Sequence, residues 1–199
     1  MRAYKYVMSN YQLLPKLTIP LFNNEYNLTD TPFGHHKLDI KHLSDEILNF
    51  LKEREVHPLH IGSFRWGPNF TTPIHTDNKP RGILHDTIKL NWVIGGKDSY
   101  VNWYEPIDYK ILIQEYLSPA KRTLEGGREF EDYTHHDENN CKLIETATVS
   151  GALIMQAGIP HNVVNLSEER YCFSIVLTHT NTQNYLSMND AITIFNDLI

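Results

Sequence analysis

The sequence predicts a mainly β protein, a double-stranded β-helix or jelly roll with flanking α-helices. Two observations point there: about eight short apolar or alternating segments, and clusters of turn residues between them. The expected strands are 59–64, 72–77, 88–94, 99–104, 143–148, 152–156, 161–165 and 170–178. Gly67-Pro68, Gly95-Gly96, Ser150-Gly151, Gly158 and Ser167-Glu168-Glu169 punctuate them. Short strands at such spacing bury their apolar sides by forming a sandwich or barrel.

The helical pattern is confined to two places. Residues 44–54 open with Ser44 as a cap, carry acids in the first turn, and set Ile47, Phe50 and Leu51 on one face. Residues 189–198 repeat the pattern more weakly, with Ile192 and Phe195 as the apolar side. Both helices are expected outside the sheet. The polar stretch 105–140 lacks alternation and reads as an insertion, partly helical near 107–117, that serves as a lid or substrate loop. No repeat or linker divides the chain, so 1–199 reads as one domain.

Composition narrows the function. With 41% apolar and 21% charged residues the chain has the profile of a soluble globular protein. No run approaches the ~18 apolar residues of a membrane span. The N-terminus is basic but lacks the apolar core of a secretory signal. Two cysteines suit a reducing compartment, so a cytoplasmic location is expected. A net charge of −6 with scattered basic residues argues against nucleic acid as a partner. Phosphate-loop, Cys-x-x-Cys and Gly-x-Ser-x-Gly motifs are absent, which removes kinase, zinc-ribbon and serine-hydrolase readings.

The chemistry lies in histidines and one arginine. His75-Thr76-Asp77 puts an imidazole and a carboxylate two residues apart, on one face of a strand. Alone this is weak: eleven histidines and eleven aspartates give about 0.6 such triplets by chance. A second copy, His135-His136-Asp137, sits among acids and asparagines and reads as an exposed loop. A third ligand is expected from His161, which follows Gly158-Ile159-Pro160 and opens a strand; its ordinary alternative is a hydrogen-bonded core histidine.

If Ser167-Glu168 turns a hairpin, Asn165 faces Arg170, Val163 faces Cys172 and His161 faces Ser174. Those six residues then share one face, and Tyr171, Phe173, Ile175 and Leu177 take the other. An arginine on the inward face is costly unless an anion meets it. Four residues along a strand span about 13 Å, which suits an extended arginine plus a five-carbon diacid reaching a metal. The alternative pairs Arg170 with Glu168 or Glu169 at the surface.

His75-x-Asp77, a distant His161, and Arg170 nine residues further on resemble the non-haem iron(II), 2-oxoglutarate-dependent oxygenase superfamily. The run 160–174 is similar to aspartyl/asparaginyl β-hydroxylase and prolyl-hydroxylase relatives. Residues 88–94 and 102–104 are similar to small oxygenase-like proteins of bacteriophages and marine microbes. The resemblance covers about 57–104 and 143–179 and implies a cupin-like barrel. It further implies His75, Asp77 and His161 as the catalytic ligands of Fe(II), Arg170 as the clamp for 2-oxoglutarate, and dioxygen (O2) as the oxidant. A small molecule or peptide would be hydroxylated as 2-oxoglutarate becomes succinate. Asn91 is expected to contact cosubstrate or substrate, or else to bond backbone. Some relatives carry a serine two residues after the arginine to help hold the carboxylate; here that residue is Cys172, and Ser174 lies two further on. A non-oxidative, cupin-like isomerase or small-molecule binder is the alternative, and a silent interaction domain a third.

Overall fold

The computed structural model describes residues 9–77, 88–111 and 133–199. Within these residues twelve strands form two antiparallel sheets. The first has the order β1 (Tyr11–Leu13), β10 (Gly151–Gln156), β6 (Ile88–Gly95), β12 (Arg170–His179), β3 (Val56–Trp66) and β2 (Gly34–Leu38). The second has β8 (Thr134–His135), β5 (His75–Thr76), β11 (His161–Asn165), β7 (Tyr100–Pro106) and β9 (Cys141–Thr148). A short β4 (Phe70–Thr71) also pairs with β11.

The pairing is nested: β3 with β12, β5 with β11, β6 with β10, and β7 with β9. First pairs with last and second with second last, as a long hairpin does when rolled up on itself. That is a jelly roll, and its eight strands correspond to the eight expected segments. The added β1, β2, β4 and β8 are short. At positions 58–60 the β3 register slips against Val176 and Leu177, where Pro58 has no amide to donate.

The first sheet is buried on both faces. Its outer side packs under the N-terminal segment, α1 (Asp45–Glu53) and α2 (Met188–Ile194), in a core that includes Leu14, Ile47, Leu51, Leu90, Phe173, Ile175 and Phe195. Its inner side meets the second sheet through Val93, Val101, Trp103, Leu153 and Cys172. Double burial explains why β12 reads as an almost unbroken apolar run. Ser44 Oγ caps α1 by accepting from the Ile47 amide, and Ser187 with Asp190 forms a capping box on α2. The second expected helix is shorter than 189–198: it stops at Ile194, and a 3-10 turn follows at Asn196–Leu198.

The expected β11–β12 hairpin does not form. Strand β11 pairs with β4, β5 and β7, whereas β12 pairs with β3 and β6, so Ser167-Glu168 carries the chain from one sheet to the other. Asn165 steadies this crossing: its Nδ2 donates to the carbonyls of Gly67 and Glu168 at 2.6 and 2.8 Å. The shared inward face survives for a different reason. His161 and Val163 on one sheet look across the sandwich at Arg170, Cys172 and Ser174 on the other.

Of the polar stretch 105–140, Glu105 and Pro106 complete β7, and Thr134–His135 pair with β5. Residues 112–132, which take in most of the expected lid, lie outside the described residues. Among the described residues no helix is long and apolar enough to cross a membrane.

Candidate metal centre

His75, Asp77 and His161 converge. One ligand atom from each lies within 4.8 Å of the others. His75 and His161 are direct cross-strand partners on β5 and β11, and Asp77 follows β5, fixed by its amide to the Ala157 carbonyl. His75 Nδ1 meets the Pro73 carbonyl at 2.8 Å, and His161 Nδ1 meets that of Ile159 at 2.9 Å. A carbonyl only accepts, so Nδ1 carries the proton and each neutral ring keeps its lone pair on Nε2. Those Nε2 atoms lie 3.5 and 3.9 Å from the Asp77 oxygens.

Burial sets the protonation. It holds His75 down to about 3, helped by His161, and holds His161 below the ordinary imidazole range despite the pull of Asp77. Burial alone would raise the Asp77 carboxyl, but the Lys89 ammonium and then the two histidines outweigh it and leave it below the usual carboxylate range. At neutral pH the cluster is therefore two neutral imidazoles and a carboxylate. Asp77 Oδ1 is buried without a hydrogen-bond partner among the described residues. Two aimed lone pairs and an orphaned carboxylate oxygen are the donor set that suits a divalent transition metal with positions to spare.

The same cavity, about 60 Å³, reaches Arg170. Arg170 is 3% exposed, and its Nε donates to Ser99 Oγ at 3.2 Å. The expected surface partners are taken: Glu169 pairs with Arg65 at 3.0 Å, and Glu168 accepts from the Lys97 amide at 2.8 Å. Among the described residues no carboxylate comes within ion-pair distance of Arg170. Gly96 makes room for it, since a Cβ there would stand 2.8 Å from the Arg170 side chain.

Asn91 and Ser174 are neighbours on β6 and β12 and line the cavity together. Ser174 Oγ donates to Asn91 Oδ1 at 2.6 Å, and Asn91 Nδ2 lies 3.4 Å from Met155 Sδ. Asn91 thus bonds side chains rather than backbone. Among the described residues the second triplet joins no metal-ligand group, and it is not the exposed loop expected: His135 lies on β8, His136 is buried against Thr76, and Asp137 caps a 3-10 turn by accepting from Asn139.

Sequence reasoning missed three residues. Lys89 lines the cavity, with Nζ 2.7 Å from Asp77 Oδ2. The signal was present, because Lys89 shares the alternation of Asn91 and Val93 on β6. Tyr133 sets its ring edge-on to His75 at 5.1 Å and its hydroxyl 3.2 Å from His35 Nδ1. His35 stacks on Phe64 at 4.3 Å. Nothing local in the sequence marks either.

A scan of protein families and a search of curated proteins each found no match to the sequence. Solved structures offer loose likenesses. HygX from Streptomyces hygroscopicus with iron bound is 12% identical over 78% of this chain and 77% of its own, at a TM-score of 0.35. An oxalate oxidase is 14% identical over 87% and 61%, at 0.33. Peruvianin-I, a cysteine peptidase from Thevetia peruviana latex, is 10% identical over 78% and 66%, also at 0.33. The chain spans less than two thirds of the length of the last two. At these scores the likenesses carry no argument, and the jelly roll rests on the strand pairing itself.

Proposed function

We propose that the chain is an Fe(II)- and 2-oxoglutarate-dependent oxygenase, a hydroxylase of a small molecule or peptide. The observation that carries this is Arg170: a buried guanidinium with no carboxylate partner among the described residues, in one cavity with His75, Asp77 and His161. A buried cation is expensive until an anion meets it, and a guanidinium holds a carboxylate by two parallel bonds. The distal carboxylate of 2-oxoglutarate supplies that anion.

In this reading His75, Asp77 and His161 hold iron(II), which when bound lets dioxygen oxidise the substrate while 2-oxoglutarate is converted to succinate and carbon dioxide. The remaining roles belong to the chain. The Pro73 and Ile159 carbonyls keep both Nε2 atoms aimed inward. Ser99 fixes Arg170 Nε and leaves the terminal nitrogens for the carboxylate. Val93, Val101, Leu153 and Val163 wall the cavity against water, and the Asn91–Ser174 pair offers polar contacts to the cosubstrate.

The alternative, a non-oxidative cupin-like metal-binding protein, is favoured by the cavity volume of about 60 Å³, which suits a ligand smaller than a five-carbon diacid. Succinate release separates the two. Protein loaded with iron(II) and given 2-oxoglutarate and air is expected to form succinate, and Arg170→Met to lose it. No binding of 2-oxoglutarate to metal-loaded protein would leave the alternative.

A further inference from the structure

Among the described residues of the cavity, Lys89 is the charged one that the proposed reaction leaves without a task. Its Nζ lies 2.7 Å from Asp77 Oδ2, and both side chains are about nine-tenths buried. Among the described residues Asp77 Oδ1 has no hydrogen-bond partner, and it lies 3.5 Å from His75 Nε2. The two carboxylate oxygens are therefore unequal: Oδ2, 3.9 Å from His161 Nε2, is tied to Lys89, and Oδ1 is left beside His75.

We infer that Lys89 is a positioning residue: it ties Oδ2 so that Asp77 offers a divalent cation Oδ1 alone, and its charge trades cation affinity for affinity toward a dianionic 2-oxo acid. This rests on the metal-site reading above. An untied carboxylate can chelate with both oxygens and so take up a coordination position that the 2-oxo acid needs. Usual supporting groups around a metal site make the ligand more basic, and losing them costs about 10–100-fold in metal affinity. A lysine does the reverse. It draws electron density from the carboxylate and sets a like charge close to the cation, a repulsion that a bound dianion relieves.

The test is calorimetric titration of wild type, Lys89→Met and Lys89→Gln with Mn(II), then of each Mn(II)-loaded protein with 2-oxoglutarate. Lys89→Met is expected to bind Mn(II) several-fold tighter and 2-oxoglutarate about tenfold weaker. Lys89→Gln keeps a donor without the charge; it should also bind Mn(II) more tightly, with a smaller loss for 2-oxoglutarate, and it decides the matter if Lys89→Met does not fold. Weaker Mn(II) binding in both variants marks an ordinary structural support and overturns the inference, as do unchanged affinities. Wild type that binds no Mn(II) overturns the metal site and this inference together. Wild type that binds Mn(II) but not 2-oxoglutarate overturns the cosubstrate reading, while the sign of the Mn(II) change still decides the role of Lys89.

Discussion

His75 and His161 are direct partners on adjacent antiparallel strands, their rings 4.4 Å apart, and each uses Nδ1 to bond the carbonyl two residues before it. The repeated device means that the backbone, rather than a distant side chain, sets both ring orientations. The remaining ring nitrogens then converge on Asp77, His75 Nε2 at 3.5 Å from Oδ1 and His161 Nε2 at 3.9 Å from Oδ2.

Arg170→Met should separate cosubstrate binding from metal binding. The substitution removes a buried charge that lacks an acidic partner among the described residues and keeps most of the stem packed against Gly96. Thermal unfolding is expected no lower than for wild type. Mn(II) affinity should hold, while 2-oxoglutarate affinity falls by about 1.5–3 kcal/mol, the usual worth of a charged hydrogen-bonded contact. Loss of fold or of Mn(II) binding would argue against a clamp.

Gly96→Ala should act on the same clamp from behind. Gly96 sits at φ +62, and a Cβ would stand 2.8 Å from the Cβ, Cγ and Cδ of Arg170. The expected cost is about 1–3 kcal/mol in a denaturant titration. Calorimetry should show weaker 2-oxoglutarate binding with Mn(II) affinity intact. A variant that binds both normally would show that the Arg170 position is not critical.

Burial of histidines makes the metal-free protein acid-sensitive. His75 and His35 are held down to about 3, and His161 below its ordinary value. The unfolded chain takes up protons at these residues near pH 6.5; in the folded chain His75 and His35 do so only at about pH 3, and His161 only below its ordinary range. Between those values the unfolded state binds more protons, so stability falls as pH falls, by up to about 1.4 kcal/mol per pH unit for each histidine. Below about pH 4 Asp77, also held low, acts in the same direction. Urea midpoints should drop from pH 7 to pH 5; equal midpoints would mean that the cluster is open to solvent.

Much of this was legible in the sequence, and the reasons differ by element. Although β9 buries only Ala147, most of the rolled strands announce themselves because they bury at least one face, so their residues alternate or run apolar. Strand β2 does not: Gly34-His35-His36-Lys37-Leu38 is a half-exposed sheet edge, which needs no apolar side. Strand β8 is two residues long and pairs with β5. The hairpin expectation failed because a short turn between alternating segments looks the same whether the next strand stays in its sheet or crosses to the other. The face assignment survived because inward alternation does not depend on the partner strand. Lys89 was the readable residue left unread; Tyr133 and His35 reach the site through folding alone.

The central claim is that the His75–Asp77–His161 cluster and Arg170 together bind iron(II) and 2-oxoglutarate. Anaerobic titration of the protein with both, followed by visible absorption, tests it most directly. The account predicts a weak metal-to-ligand band that requires both components and is lost in His161→Ala, with the fold intact by circular dichroism. A His161→Ala protein that binds both as well as wild type, or a wild type that gives no band and no binding, would contradict it.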